Sequence, residues 1–354
     1  MIQPIAQKLI AWYQSQRRSL PWRENPIPYH VWVAEIMAQQ TRLDTMLPYY
    51  ERWLARFPTI KELAQADVQE VLLLWEGLGY YQRARNFHAA AQQIVEHNAG
   101  HIPETVEELR RLPGIGPYTA GAISSVAFGA DEPAVDGNAI RVLSRVFNIE
   151  LIPASSAGKQ AFWNAARSIL PAGQASDFNQ GLMELGARIC APRNPDCDNC
   201  PLSAHCDAFQ LGIQEQRPVR KKLAQLPVRY SASLVILRNR QVQLHQRPAE
   251  ALLGAMWEFP NIAIDPDLNQ AQMKQILASD FSISSQQLHF LAQLKHTYSH
   301  FHAQVNVFLA ESSHNLAESL SNEQNPWHDL MEMELKPMGK IDRTIAQLLL
   351  DKLG

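Results

Sequence analysis

Cysteine is nearly absent from this 354-residue sequence, and all four residues that occur lie between positions 190 and 206. No disulfide framework can therefore span the chain, and the redox texture is that of a cytoplasmic protein. Long apolar runs are missing too: no stretch of about 18 such residues occurs, which excludes a helix that crosses a bilayer. The opening residues, MIQPIAQKLIAWYQSQRRS, lack the basic start, apolar core and small-residue cleavage site of an export signal, so localisation is expected to be cytoplasmic, at the nucleoid if the source is bacterial. Charge of either sign is sparse, at 19% of residues with a net −3. Residues 1–228 balance 22 Lys/Arg against 22 Asp/Glu, and the rest holds 10 against 13. A nucleic-acid surface, if there is one, has to be locally patterned and not domain-wide.

Strand patterning is also missing from the first 211 residues, where apolar positions recur at helical spacing. The periodicity predicts helices over 1–20, 29–41, 43–56, 61–65, 67–75, 84–97, 104–112, 118–128, 138–148 and 158–170, punctuated by Pro48, Pro58, Gly77 and Gly79. From Gly212 to Pro227 periodicity is lost, and Arg217, Arg220, Lys221 and Lys222 mark a solvated linker or a track for a phosphate backbone. After Pro227 the texture turns to strands at 231–237, 242–246 and 304–308, with helices near 268–278 and 342–352. The chain is long enough for two or three cores. The expectation is an all-α domain over 1–211, a linker over 212–228 and an α+β domain over 229–354.

Three features can carry chemistry. Leu112-Pro113-Gly114-Ile115-Gly116-Pro117 is a glycine-rich turn opening a buried helix, and such a helix start can dock a phosphate on its amides. Asp136 follows in the polar tetrapeptide VDGN between apolar runs, where a carboxylate has no packing role. Glu35 stands in a helical stretch beside Trp32, Ile36 and Met37. It is either a solvated helix glutamate or a carboxyl facing an apolar pocket, where desolvation raises its pKa toward the range useful for proton donation.

Cys190, Cys197, Cys200 and Cys206 form C-x6-C-x2-C-x5-C. Four thiolates closing one small loop suit a tetrahedral zinc or a [4Fe–4S] cube. Only Cys197 and Cys200 are close, not the two close pairs usual for zinc, which favours iron–sulfur. Gly77-Leu78-Gly79-Tyr80-Tyr81-Gln82-Arg83-Ala84-Arg85-Asn86 combines a flexible turn, aromatics and arginines. It suits a wedge for a base stack with phosphate grips, or a loop whose tyrosines cap a core. His296-Thr297-Tyr298-Ser299-His300-Phe301-His302 reads as a loop before a strand, with recognition or a metal as its alternatives.

Taken in order, these motifs resemble the helix-hairpin-helix, endonuclease III-like superfamily of DNA glycosylases. LPGIGPYTAGAI looks like its hairpin, VDGN places its aspartate, and the cysteine spacing is that of its iron–sulfur loop. VWVAEIMAQQT, GLGYYQRARN and a strand-rich module with HTYSHFH are similar to the adenine DNA glycosylase branch, over essentially the whole chain. The resemblance implies a six-helix hairpin module over about 22–134 and an iron–sulfur module built from the N-terminal helix and about 135–211. The C-terminal domain would be Nudix-like, since LLGAMWEFP resembles a Nudix core strand. The Nudix metal box, a cluster of glutamates ending in REXXEE, is absent after Pro260, so Mg²⁺ has no site there.

What the resemblance implies for the residues follows position by position. Glu35 corresponds to the acid that protonates adenine, and Asp136 to the carboxylate that stabilises the oxocarbenium-like sugar. Tyr118 corresponds to the hairpin tyrosine supporting the glutamate, and Asn138 to an asparagine beside the aspartate. Gln40 and Tyr80 correspond to residues inserted near 8-oxoguanine, with Arg83, Arg85, Gly114 and Gly116 also at the DNA. Tyr298, Ser299 and His300 correspond to the loop that probes the lesion. One [4Fe–4S] cluster would sit on the four cysteines. Strand-cutting relatives carry a lysine where this chain has Tyr118, and a tyrosine cannot form a Schiff base. Some carry a trappable lysine where this chain has Ile140. A monomeric, monofunctional glycosylase acting on duplex DNA with A:8-oxoguanine or A:G mispairs is implied, with repair or clamp proteins as further partners. A glycosylase for another mispair and a non-catalytic iron–sulfur DNA-binding protein are the alternatives.

Overall fold

The computed structural model describes residues 3–221, 225–311 and 326–353. Contacts divide the chain into two units, Met1–Gln65 with Asn86–Leu223, and Ala66–Arg85 with Ala224–Gly354. The division differs from the sequence expectation in two places: residues 66–85, placed with the helices, group with the C-terminal strands, and the expected linker 212–228 is shared between the units, which part after Leu223. Lys222 lies outside the described residues.

The first unit is helical, and no strand occurs among its described residues. The helix Pro28–Ala38 begins with proline at its first turn and runs through Val31, Trp32, Val33, Ala34, Ile36 and Met37, all buried. Its outer side is held by aromatics. Trp32 tilts onto Phe87 at 4.7 Å, Phe87 stacks on Trp53 at 5.8 Å and 10°, and the Tyr29 hydroxyl donates to Phe57 O at 3.0 Å. Burying each such ring contributes roughly 1.5–3 kcal/mol. A second core joins the N-terminal helix Gln3–Gln16 to the later helices through Leu9, Val142, Phe162, Phe178 and Leu182. Gly181 permits that approach, because a Cβ there would lie 3.2 Å from Leu9 Cγ.

Helix ends follow local chemistry more closely than periodicity. The expected helix 104–112 shrinks to Val106–Leu109, capped by Thr105 and followed by the turn that leads to Gly114. Gly114 has φ +76°, and a Cβ would lie 2.7 Å from Asn86 Cβ, so both conformation and space require glycine. Gly116 is under neither constraint. It caps the helix Pro117–Phe128 at φ −88°, with open space where a side chain would stand.

The second unit holds a six-stranded sheet in the order β6-β7-β1-β2-β8, with β5 pairing β1, and a two-stranded β3-β4 ribbon. The strands are β1 Val228–Arg238, β2 Gln241–Gln243, β3 His245–Gln246, β4 Trp257–Glu258, β5 Asn261–Ala263, β6 Leu288–Thr297, β7 His302–Glu311 and β8 Trp327–Asp329. β1 and β7 pair in parallel, and β6 and β7 are antiparallel. Apolar side chains fill both faces of the sheet. Val235, Val307 and Phe259 pack with Ile345 and Leu349 of the helix Lys340–Leu353. Leu234, Ile236 and Phe308 pack with Met273 and Leu277 of the helix Gln270–Asp280. The histidine-rich segment is a hairpin tip and not a free loop: His296 and Thr297 end β6, and His302 begins β7.

Candidate functional site

Glu35 sits midway along Pro28–Ala38, half-buried among apolar neighbours. Tyr118, in the first turn of Pro117–Phe128, donates its hydroxyl to Glu35 Oε2 at 2.6 Å. Gly121 lets this helix lie against the segment leading to Asp136, since a Cβ there would lie 2.2 Å from Pro133 O. Burial pushes the Glu35 carboxyl up to about 7. The Tyr118 hydrogen bond opposes that rise, the Asp136 charge adds to it, and the Arg23 charge opposes it. Tyr118 is raised well above its ordinary value by burial and then by Glu35 and Asp136, so it stays a neutral donor.

Asp136 caps the helix Gly137–Val146, taking the Ala139 N–H at 2.7 Å on Oδ1 and Asn138 Nδ2 at 2.8 Å on Oδ2. Burial raises its pKa, against the Ala139 amide, the Asn138 side chain and the Arg141 charge. A carboxylate at a helix start is stabilised in its charged form by those amides and the helix dipole. The pair therefore differs in kind: one carboxyl held by a phenol in an apolar wall, the other by N–H donors.

Four more side chains fix this arrangement, and none stands out in the sequence. Arg141 donates to Asn138 Oδ1, Gly186 O and Cys190 O, each at 2.7 Å. It thereby ties the start of the cysteine loop to the amide that holds Asp136. Buried Asn179 accepts from Ala134 N at 2.9 Å and donates to Glu132 O at 2.8 Å, setting the approach to Asp136. Arg23 donates to Gln180 Oε1 at 3.1 Å and to Glu184 Oε2 at 2.9 Å. Glu184 is buried, and although burial pushes its pKa up, Arg18 and Arg23 hold it below the ordinary value. A buried polar side chain in a helical repeat gives little sequence signal, because its partner lies far along the chain.

All four cysteines are free thiols and line one cavity with Val142, Arg145, Leu185 and Leu202. Burial pushes Cys200 up to about 12 and raises Cys197 and Cys206. Fully buried Arg145 donates to Cys190 Sγ at 3.1 Å and Ala191 O at 2.8 Å, while its Nη2 has no partner. Four thiols around one cavity with an unpaired guanidinium donor fit a sulfur-rich anionic group. Among the described residues no three His, Cys, Asp or Glu side chains gather as a site for a single ion.

In the second unit, Gly77, Gly79 and Tyr80 all have left-handed backbones, at φ +102°, +70° and +50°. Tyr80 is 44% exposed, and its hydroxyl accepts from Ser299 Oγ at 2.7 Å. Gln40 of the first unit shares these traits: it is exposed and has φ +56°. Such strain at a non-glycine residue costs of order 1–3 kcal/mol and persists where a site over-determines it. The expected phosphate grips lie elsewhere. Arg83 donates to Leu78 O and Gly79 O at 3.1 and 3.0 Å and stacks over Trp75, and Arg85 donates to Gly254 O at 2.7 Å. Likewise Arg217 is buried against Glu150, at 2.6 Å. Tyr298 is turned inward, stacked on Phe301 at 4.8 Å with His296 edge-on at 4.6 Å, while Ser299 and His300 are exposed.

The profile of the HhH-GPD superfamily of base excision DNA repair proteins matches residues 33–167, and that of the NUDIX domain matches residues 232–348. The fold class expected from the motifs, a helix-hairpin-helix domain followed by a Nudix-like one, is thus found. An adenine DNA glycosylase of Rattus norvegicus is 35% identical, over 85% of this chain and 69% of its own length. One from Buchnera aphidicola is 31% identical over 92% of each. A thermostable thymine-DNA glycosylase of known structure superposes with a TM-score of 0.54 at 28% identity, covering 58% of this chain and 95% of its own.

Proposed function

The chain belongs to the adenine DNA glycosylase family, and we propose that it removes adenine paired with 8-oxoguanine, and less efficiently with guanine, as a monofunctional enzyme. The observation that carries this reading is Glu35, a carboxyl in an apolar wall that takes the Tyr118 hydroxyl and whose pKa burial pushes up to about 7, with Asp136 held by a set of N–H donors. A flipped adenine needs a proton on its ring, chiefly at N7, before N9 can leave. Glu35 delivers that proton, the C1′–N9 bond breaks, and the electron pair goes to the base. The positive charge left on the sugar is met by Asp136, and water then supplies the oxygen at C1′, passing its proton to a carboxylate. Tyr118 cannot attack C1′ as an amine would, so the product is an abasic site in an uncut strand.

Cys190, Cys197, Cys200 and Cys206 would hold one [4Fe–4S] cluster, and the Arg145 guanidinium in the same cavity would offset its negative charge. When bound, the cluster supplies four iron–thiolate bonds that neutralise the thiolates and close the loop. Arg141 carries the position of that loop to Asn138. Gln40 and the turn Gly114–Gly116 would face the target DNA, and Tyr80, Ser299 and His300 would read the base opposite adenine. The helix Gln270–Asp280, where a Nudix metal box would stand, has no acidic residue in its first turn, so this module serves to read a base.

The test is single-turnover excision on duplexes holding A:8-oxoguanine, A:G and T:G, with alkali added separately. Free adenine, and strand breaks seen only after alkali, are expected. Release of thymine from T:G in place of adenine would assign the chain to another mispair, and breaks without alkali would overturn the monofunctional reading.

A further inference from the structure

The turn Leu252–Trp257 carries the strongest Nudix-like sequence, yet base removal gives it nothing to do. Its backbone is strained: Leu253 and Ala255, neither of them glycine, have φ +58° and +63°. Gly254 between them lies so close to Ala249 O that a Cβ would stand 2.1 Å away. Local side chains take some of this turn's carbonyls, Gln246 that of Ala255 at 2.9 Å and Arg247 that of Leu252 at 3.3 Å, and two side chains from far earlier in the chain join them. Gln69, on the helix Val68–Trp75, donates to Ala255 O at 2.9 Å and accepts from Trp257 Nε1 at 2.9 Å. Arg85 donates to Gly254 O at 2.7 Å.

Between those two anchors lies Glu76, the residue before Gly77. It takes both prongs of Arg343, Nε at 2.6 Å and Nη2 at 2.8 Å, and the Met338 N–H at 3.1 Å. Arg343 is itself fixed by Met333 O at 2.7 Å and Lys336 O at 2.6 Å. A two-pronged, charge-assisted contact constrains direction as well as distance. Gly77, Gly79 and Tyr80 are left-handed and form no regular ladder. Inside the loop Arg83 and Trp75 hold the Leu78 and Gly79 carbonyls, and Arg83 lies over the Tyr80 ring at 5.6 Å; Glu76 before it and Arg85 after it fix where that loop is seated.

We propose that the Leu252–Trp257 turn and Arg343 are the seat of the Tyr80 loop, so that Gln69, Glu76 and Arg343 are positioning residues that set discrimination of the base opposite adenine. The inference rests on the reading of Tyr80 and Ser299 given above. Through this seat the probe from the helical half of the sequence is registered on the module that carries Ser299.

The experiment uses the full-length, cluster-loaded protein and compares single-turnover rates on A:8-oxoguanine and A:G duplexes. Glu76→Ala and, independently, Gln69→Ala are expected to lower the ratio of the two rates about tenfold, with the A:G rate within about twofold of wild type. Adding Tyr80→Ala to Glu76→Ala should lower the ratio no further than Tyr80→Ala alone, because the clamp acts through that ring. Arg343→Lys, which keeps the charge and loses one prong, should fall between wild type and Glu76→Ala. A wild-type ratio in both Glu76→Ala and Gln69→Ala, with the ratio lost in Tyr80→Ala, would overturn the positioning role and leave the reading of Tyr80 intact. Additive losses in the double variant would overturn it as well. A wild-type protein with no preference for 8-oxoguanine would sink the reading of Tyr80, and this inference with it.

Discussion

Glu35 and Tyr80 are the two residues proposed to meet the two bases of the mispair, and the chain builds their surroundings in opposite ways. Glu35 lies inside a regular helix whose neighbours are buried, and its polar contact is a single phenol. Tyr80 is exposed on a loop with left-handed positions at 77, 79 and 80, bonded at its tip to an exposed serine. The first arrangement excludes water, and excluded water moves a pKa. The second leaves the ring accessible, and accessibility is what a probe of a base stack needs. A group that must change its proton affinity is buried on a stiff element, and a group that must meet a partner is strained at the surface and held from its ends.

The largest expected effect breaks one side of this contrast and leaves the other. Glu35→Gln should slow adenine release by about a thousandfold or more, the scale of a lost general acid, while binding to an A:8-oxoguanine duplex persists. Near wild-type release by the folded variant would remove Glu35 from the role. Asn138→Ala deletes the amide that donates to Asp136 and that Arg141 holds, and a hydrogen bond to a charged group of this kind is worth about 1.5–3 kcal/mol. A tenfold to hundredfold loss (roughly) is expected, on A:8-oxoguanine and A:G alike; a change in their ratio would contradict the separation of the two regions.

Tyr80→Ala addresses the other side. Loss of one aromatic platform, worth about 1–3 kcal/mol per stacked base, should cut the preference for 8-oxoguanine about tenfold while the pH profile stays fixed. The smallest effect in rate is the most diagnostic in pH. With Glu35 protonated as the acid, the excision rate should fall as pH rises through about 7. Tyr118→Phe removes the hydrogen bond that lowers this pKa, so the falling limb should move to higher pH, with only a few-fold change in rate near pH 6. A limb that moved down would show that the phenol stabilises the acid form instead. Stability follows the same sign: a carboxyl whose folded pKa is raised contributes fully below the ordinary carboxylate range and loses that contribution as pH rises through about 7. Thermal denaturation from pH 5 to 8 should show the decline, and Glu35→Gln should flatten it.

Legibility in the sequence tracked how local each cause was. The hairpin turn was readable because glycine and proline act within a few residues, although only Gly114 proved to need its left-handed backbone. The cysteines were readable from spacing. Arg83 and Arg85 were read as phosphate grips because charge beside aromatics suggests it, and Arg217 as part of a solvated linker or a phosphate track; each donates to protein oxygens, which no local pattern shows. Tyr298 was read beside Ser299; it lies just after β6, where the turn that bonds its N–H to Phe301 O stacks its ring on Phe301. Arg141, Asn179 and Gln180 carried no signal, since each has decisive partners 40 or more positions away, Arg141 at Gly186 and Cys190, Asn179 at Ala134 and Gln180 at Arg23.

The sequence by itself determined the helical first half, the strand-rich second half, the glycine turn, the thiol loop and the two carboxyl candidates. Each rests on periodicity, backbone chemistry or spacing along one stretch of chain. Only the tertiary structure decided how far burial moves the Glu35 carboxyl against the Tyr118 hydrogen bond, that Arg141 joins the cysteine loop to the amide holding Asp136, and that residues 66–85 belong with the C-terminal module. The reason is physical: desolvation, pKa and buried hydrogen bonding depend on which distant segments fold against one another, and no local pattern encodes that distance.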